Sequence, residues 1–222
     1  MKGGTMKLLS KVQGVQYELF EIYALGEMAP MVAEAFNRYE PMTVARNVPF
    51  QEFVDFVKLL APKALQEELT VLARDQETGQ VIGAMIADDF ASVPLEGMGL
   101  LGEAFEPIFA LLGELDDQYK KGRTLRLGEY LRLFMIAVDH RHKGRKVAQN
   151  LVRACLKNGA RQGYHTAVTE ATGVISQHLF RSGFGFRNRL EIPYKTFVYE
   201  GRPVFASIQG HTGTILMDKT PV

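Results

Sequence analysis

Residues 131–163 read LRLFMIAVDHRHKGRKVAQNLVRACLKNGARQG, and the pattern changes twice along them. The apolar run LFMIAV at 133–138 has the length and composition of a buried strand. Residues 139–146 form a compact polar loop, dense in cations and broken by Gly144. An amphipathic segment follows, with Val147, Leu151, Ala154, Cys155 and Asn158 on one helical face and Arg153, Lys157 and Arg161 on the other. Gly163 supplies a helix stop. A strand that runs through a basic, glycine-containing loop into a helix makes a ready anion site. The N–H groups of the first helical turn are unpaired, and the helix dipole favours negative charge there. The same shape also occurs as plain scaffold with a solvated charge run, so the rest of the chain has to decide.

At 222 residues the chain suits one domain with a full core. Its net charge of +1 argues against a general nucleic-acid or membrane-surface binder. The cations are unevenly placed, however, and the segment 120–161 is markedly basic, which points to a local anion site. The basic loop is short and lacks interleaved aromatics, so a nucleic-acid partner is not expected. No metal is expected either, because His140 and His142 flank one another in a loop and no Cys/His/carboxylate set has ligand spacing. The lone Cys155 lies on the apolar helical face and reads as a small buried hydrophobe. No stretch approaches the roughly 18 apolar residues of a membrane span. The N-terminal MKGGTMKLLSK lacks the apolar core of a secretory signal, so a cytoplasmic location is expected.

Outward from the central stretch, residues 1–14 read as a loose leader and 16–23 as a first strand. A helix is expected at 26–39, with Pro30 in its first turn. It breaks at Glu40-Pro41, because a residue before proline is pushed out of the helical region. A second helix is expected at 49–60. Strands at 69–74 and 81–87 flank the turn-like 75–80, so they form a hairpin. Gly83 marks a bulge or a close backbone approach. Residues 94–121 form a helical insertion between the third and fourth strands, its helix spanning 100–119 with a kink at Pro107. Residues 164–169 follow as a strand parallel to 133–138. Then come a short helix at 176–181, a segment at 196–200 and a last strand at 213–217. The fold class is α/β (α+β): one domain over 1–222, a mixed central sheet flanked by helices.

Val138-Asp139, Lys143-Gly144-Arg145-Lys146-Val147-Ala148 and Leu151 resemble the acetyl-CoA-binding motif of the GNAT N-acetyltransferases. Ser182-Gly183-Phe184 resembles the Leu-Gly-Phe that closes the next helix in that superfamily, and the order of elements is similar over nearly the whole chain. The resemblance implies the GNAT fold and acetyl-CoA as co-substrate. The backbone of Ile136, Ala137 and Val138 would hold the pantetheine arm. The loop from Lys143 through Gly144, Arg145, Lys146 and Val147 to Ala148 would hold the pyrophosphate, with Arg141, Arg145 or Lys146 reaching the 3′-phosphate. Backbone N–H groups can bind such oxygens without special side chains. The match departs from the motif at Lys143, where Arg or Gln is usual, and at Lys146, where Gly is usual.

A finer similarity, to the arylalkylamine-type N-acetyltransferases, lies in Tyr39-Glu40-Pro41-Met42 and in the C-terminal layout around Tyr194, residues 197–199, Val204-Phe205 and His211-x-Gly213. It implies that Glu40 is the general base. An ammonium must lose a proton before its nitrogen can attack a thioester, and a carboxylate near it can both attract it and accept that proton. Phe180 stands near the slot where many relatives of this superfamily carry a tyrosine acid, and phenylalanine has no proton to give. The resemblance to the arylalkylamine-type group implies a nearby serine as general acid, with Ser176 the closest match and His178 or Tyr194 the alternatives. Tyr39, Phe50, Phe53, Phe90, Phe105, Tyr194 and Tyr199 are candidate walls for an amine with an apolar body.

The reading favoured by these residues is acetyl transfer from acetyl-CoA to a small-molecule primary amine, by direct attack in a ternary complex, in a monomer or homodimer. An acyl-CoA sensor without turnover is the alternative. Protein N-acetylation, which would need an open acidic groove for a basic tail, is a third, opposed by the insertion at 94–121, which suggests a closed site.

Overall fold

The apolar run at 133–138 lies in a strand at the middle of an eight-stranded sheet. The structure, a computed structural model, describes residues 7–93 and 101–222. The strands are β1 (Leu8–Val12), β2 (Val15–Leu19), β3 (Val71–Asp75), β4 (Val81–Asp89), β5 (Tyr130–Val138), β6 (Thr166–Ala171), β7 (Arg187–Pro193) and β8 (Gly213–Lys219). Their order across the sheet is β1-β2-β3-β4-β5-β6-β8-β7, antiparallel everywhere except at β5-β6. The expected mixed sheet flanked by helices is therefore present.

Helices α1 (Leu25–Tyr39), α2 (Pro41–Ala45), α3 (Phe50–Glu67), α4 (Glu106–Lys120), α5 (Val147–Arg161) and α6 (Val174–His178) complete the fold. One core joins the faces of α1, α3 and α4 to one side of the sheet and is rich in phenylalanine. The other joins α5 to the opposite side through Val147, Leu151, Val152 and Cys155. Every residue of β4 is buried, as a strand covered on both faces requires. Cys155 is fully buried, and burial pushes its thiol pKa well up, which keeps it unreactive.

Several expectations are corrected. Residues Leu8–Val12, read as part of a loose leader, form edge strand β1, paired with β2; residues 1–6 of that leader lie outside the described residues. The first expected strand ends at Leu19, and Ile22–Ala24 is a 3-10 turn leading into α1. That earlier start puts Pro30 in the second turn of α1. Helix α3 runs through Pro62 to Glu67, because Ala61 and Ala64 continue its buried face. In the insertion, α4 starts at Glu106, so Pro107 lies in its first turn, where its missing N–H costs nothing, and makes no kink. Residues 94–100 of the insertion lie outside the described residues. The segment at 196–200 makes only an isolated bridge from Tyr199 to Arg202.

Candidate active site

Strands β5 and β6 pair only from Tyr130–Thr166 to Arg132–Val168. The Thr169 hydroxyl then bonds to the Leu133 carbonyl at 2.8 Å, and beyond it the strands part. A bulge at Phe134 helps: Ile86 faces Met135 but Ala87 faces Leu133, so Phe134 is the extra residue. The backbone of Ile136, Ala137 and Val138 stays paired with β4 while its other edge is open.

The loop after β5 begins at Asp139, whose carboxylate accepts the Arg141 N–H at 2.9 Å and binds the Arg141 guanidinium. That guanidinium holds the Asp139 carboxyl down at a pKa of about 2. Arg145 is likewise committed, to Asp75 in the β3-β4 turn at 2.7 Å. The two arginines are thus spent on carboxylates, which leaves Lys143 and Lys146 as the loop's cations without a carboxylate partner among the described residues. Lys143 lies with its Nζ 5.3 Å from the centre of the Tyr39 ring.

Gly144 (φ 83°) and Lys146 (φ 57°) both take left-handed backbone. The glycine usual at the second position is explained by this, since a side chain there costs about 1–2 kcal/mol. No side chain caps the start of α5, so its first-turn N–H groups face the loop, as anion binding requires. Close packing of α5 on the sheet is secured at Gly83, where a Cβ would lie 3.1 Å from both the Ala137 carbonyl oxygen and Leu151 Cδ1. Open strand edge, left-handed loop and uncapped helix together fit a coenzyme A arm and its pyrophosphate.

A cavity of about 410 Å³ opens where β5 and β6 part. Of the sequence candidates, Ile136, Ala137, Val138, Lys143, Ala148, Glu40 and Ser176 all line it. Gly144, Arg145, Lys146 and Val147 belong to the adjoining loop and helix start, with Val147 buried against the sheet. Tyr39, Phe53 and Phe105 reach the cavity as expected, joined by Phe36, Phe56 and Phe134. Phe50, Phe90 and Tyr199 do not line it.

Glu40 joins α1 to α2 in extended backbone (φ −82°, ψ 121°), as the following proline requires. Its two carboxylate oxygens accept the N–H groups of Met42 at 3.1 Å and Thr43 at 2.5 Å. This cap fixes the direction of the side chain at the cavity wall. Ser176 Oγ donates to the Gly173 carbonyl at 2.9 Å and accepts the Gly173 N–H at 3.3 Å. Tyr194 is placed behind the wall and not on it. Its hydroxyl donates to the Thr172 carbonyl at 2.6 Å and accepts from Thr214, and burial together with the nearby Glu40 charge drives its pKa upward.

His211 and Glu170 are among the lining residues to which the sequence assigned no role. His211 reaches the wall from the C-terminal segment, its Nδ1 accepting the Val174 N–H at 3.2 Å. Glu170 comes from β6, one residue past the expected strand end. His211 stood out only as part of the C-terminal layout, and nothing local in the sequence marks Glu170, whose place depends on which strand faces which helix. Among the described residues no cluster of metal-ligating side chains occurs, and no helix is long and apolar enough to cross a membrane.

The family model "Acetyltransferase (GNAT) family" matches residues 40–186. No curated protein sequence matches the chain. Among solved structures, the C-terminal condensation domain of Ebony, determined with beta-alanyl-dopamine, superposes with a TM-score of 0.85 at 14% identity, over 93% of this chain and 98% of that one. Arylalkylamine N-acetyltransferase 2 from Aedes aegypti gives 0.80 at 20% identity, over 94% and 99%. Drosophila melanogaster polyamine N-acetyltransferase gives 0.75 at 16%, over 93% and 99%. At such identities the likeness is one of fold.

Proposed function

Because the chain belongs to the acetyltransferase (GNAT) family, and is by that membership an acyltransferase, we propose that it moves the acetyl group of acetyl-CoA to the primary amine of a small molecule. The transfer is by direct attack in a ternary complex, in the cytoplasm, by a monomer or homodimer. The observation that carries this reading is that one cavity is lined by the open β5 edge on one side and by Glu40 and Ser176 on the other.

Acetyl-CoA supplies the thioester. The Ile136, Ala137 and Val138 backbone suits the pantetheine amides, and the loop from Lys143 to Ala148 suits the pyrophosphate, with Lys143 and Lys146 adding charge. Glu40 attracts the substrate ammonium and accepts one of its protons, which frees the nitrogen lone pair. The amine nitrogen then bonds to the carbonyl carbon, the carbon–sulfur bond breaks, the nitrogen gives up its second proton, and the departing thiolate takes up a proton, so that one proton in all, the one on Glu40, is released to solvent. Ser176 is the donor in this reading, turning its hydroxyl from the Gly173 carbonyl toward the sulfur, because it stands on the cavity wall and Tyr194 does not. The phenylalanine walls hold the apolar part of the amine and exclude water. A sensor without turnover would leave Glu40 and the aromatic acceptor side without a task.

The test is release of CoA thiol from acetyl-CoA across a panel of small primary amines. Release that depends on the amine is expected. Binding of CoA with no release for any amine contradicts the proposal.

A further inference from the structure

The bulge in β5 changes the direction of side chains as well as their pairing. Successive side chains alternate between the faces of a strand, yet Phe134 and Met135 both pack on the side of α1, α3 and α4. Leu133 before them and Ile136 after them pack on the side of α5. Phe134 and Met135 both line the cavity. The Phe134 ring is pinned where it stands. The Arg132 guanidinium carbon lies 4.6 Å from its centre, and the Phe56 ring meets it edge-on at 6.3 Å. Arg132 is itself held by two bonds of 2.8 and 2.7 Å to Asp88 and by Asp116 at 3.5 Å. Read back from the basic loop, β5 presents the open edge of Val138, Ala137 and Ile136, then Met135 and Phe134. The cleft then closes on β6, where Thr169 bonds to Leu133. A pantetheine arm that enters from the loop along this edge points its thioester toward Phe134, which lies about 7 Å of strand beyond Ile136.

We propose that Phe134 closes the acyl end of the cleft, so that the donor is limited to acetyl-CoA and its short-chain homologues. This rests on the acetyl-transfer reading and assigns the residue that sets its donor class. A chain that grows from the thioester carbonyl grows toward the ring. To make room, the ring must leave both Arg132 and Phe56. Overpacking of this kind costs enough per methylene to separate donors that differ by a few carbons. Other rings of the wall, Phe53 and Phe105 among them, are left to the apolar part of the amine.

The experiment compares acetyl-, butyryl- and hexanoyl-CoA, by thiol release with one accepted amine and by calorimetric binding, for the wild type, Phe134→Leu and Phe134→Ala. The wild type is expected to favour acetyl-CoA over hexanoyl-CoA by about tenfold or more in kcat/KM, and Phe134→Ala to narrow that ratio to less than about threefold by using hexanoyl-CoA better. Phe134→Leu, which keeps most of the packing, is expected to lie between them, so the proposal does not depend on how well the alanine variant folds. Equal use of all three donors by the wild type, or a loss in the variants that is the same for every donor, overturns it. Thiol release with a donor preference that neither variant alters also overturns it and leaves acetyl transfer intact. If no amine releases thiol, the acetyl-transfer reading fails, and the affinities still decide the role of Phe134. Hexanoyl-CoA that binds more weakly than acetyl-CoA in the wild type but not in Phe134→Ala supports it, and the same ratio in both proteins overturns it.

Discussion

The Thr169 hydroxyl donates to the Leu133 carbonyl at 2.8 Å, at the point where β5 and β6 cease to pair. One side-chain bond thus ends the parallel ladder and begins the cleft. Both groups are buried, so the carbonyl has no water to turn to if the hydroxyl is lost. Thr169→Val keeps the shape and removes the donor, and is expected to destabilise the fold by about 1–2 kcal/mol. A urea midpoint lowered with an unchanged slope is the readout; an unchanged midpoint shows that the bond is not holding the parting.

Gly83 sets how closely α5 approaches the sheet. In Gly83→Ala the new Cβ meets the Ala137 carbonyl oxygen and Leu151 at 3.1 Å and Val147 at 3.2 Å, all three in β5 or in α5. The helix must shift outward, at a cost of about 1–3 kcal/mol. Because its N-terminus then moves relative to the open strand edge, CoA affinity measured by calorimetry is expected to fall along with stability. Lost stability with full CoA affinity separates the two effects and goes against this packing as a determinant of the cofactor site.

Asp75 ties the β3-β4 turn to the basic loop after β5 through Arg145. The Arg145 hydrogen bond, helped by the N–H of Thr78, holds the Asp75 pKa at about 2, below its ordinary 3.8. A folded-state pKa below the unfolded one contributes stability that is present above the unfolded value. That stability is lost as the pH falls from 3.8 toward about 2. The melting-temperature gap between the wild type and Asp75→Asn is therefore expected to be constant near neutrality and to close over that window. Asp139 titrates in the same range, so only the gap between the two proteins isolates Asp75. A gap that is constant down to the acid end rules the pair out as the source.

Much of this architecture was legible in the central stretch alone. The run at 133–138, the glycine-broken basic loop and the amphipathic face led by Val147 and Leu151 each follow a local rule, and each holds in the structure. Strand β1 was not legible, because an edge strand needs burial on only part of one face and Leu8–Val12 has no clean alternation. Pro107 was read as a kink only because the helix start was set too early. Glu40 stood out through the resemblance carried by Tyr39-Glu40-Pro41-Met42, and the proline after it explains the extended backbone that sets it on the cavity wall. Glu170 did not: a charged residue at a strand end carries no local sign of burial, and its neighbours Asp116 and Arg132 lie 54 and 38 positions away. The commitment of Arg141 and Arg145 to Asp139 and Asp75 was hidden for the same reason, since a cation in a phosphate-type loop looks free until its partner is in place.

The most direct test of the account is the turnover of Glu40→Gln with acetyl-CoA and an accepted amine, measured beside its affinity for CoA. Glutamine keeps an oxygen to cap α2 but accepts the amine proton far less readily. The account predicts a fall in kcat/KM of about 100-fold or more with CoA affinity unchanged. Turnover equal to that of the wild type would contradict it.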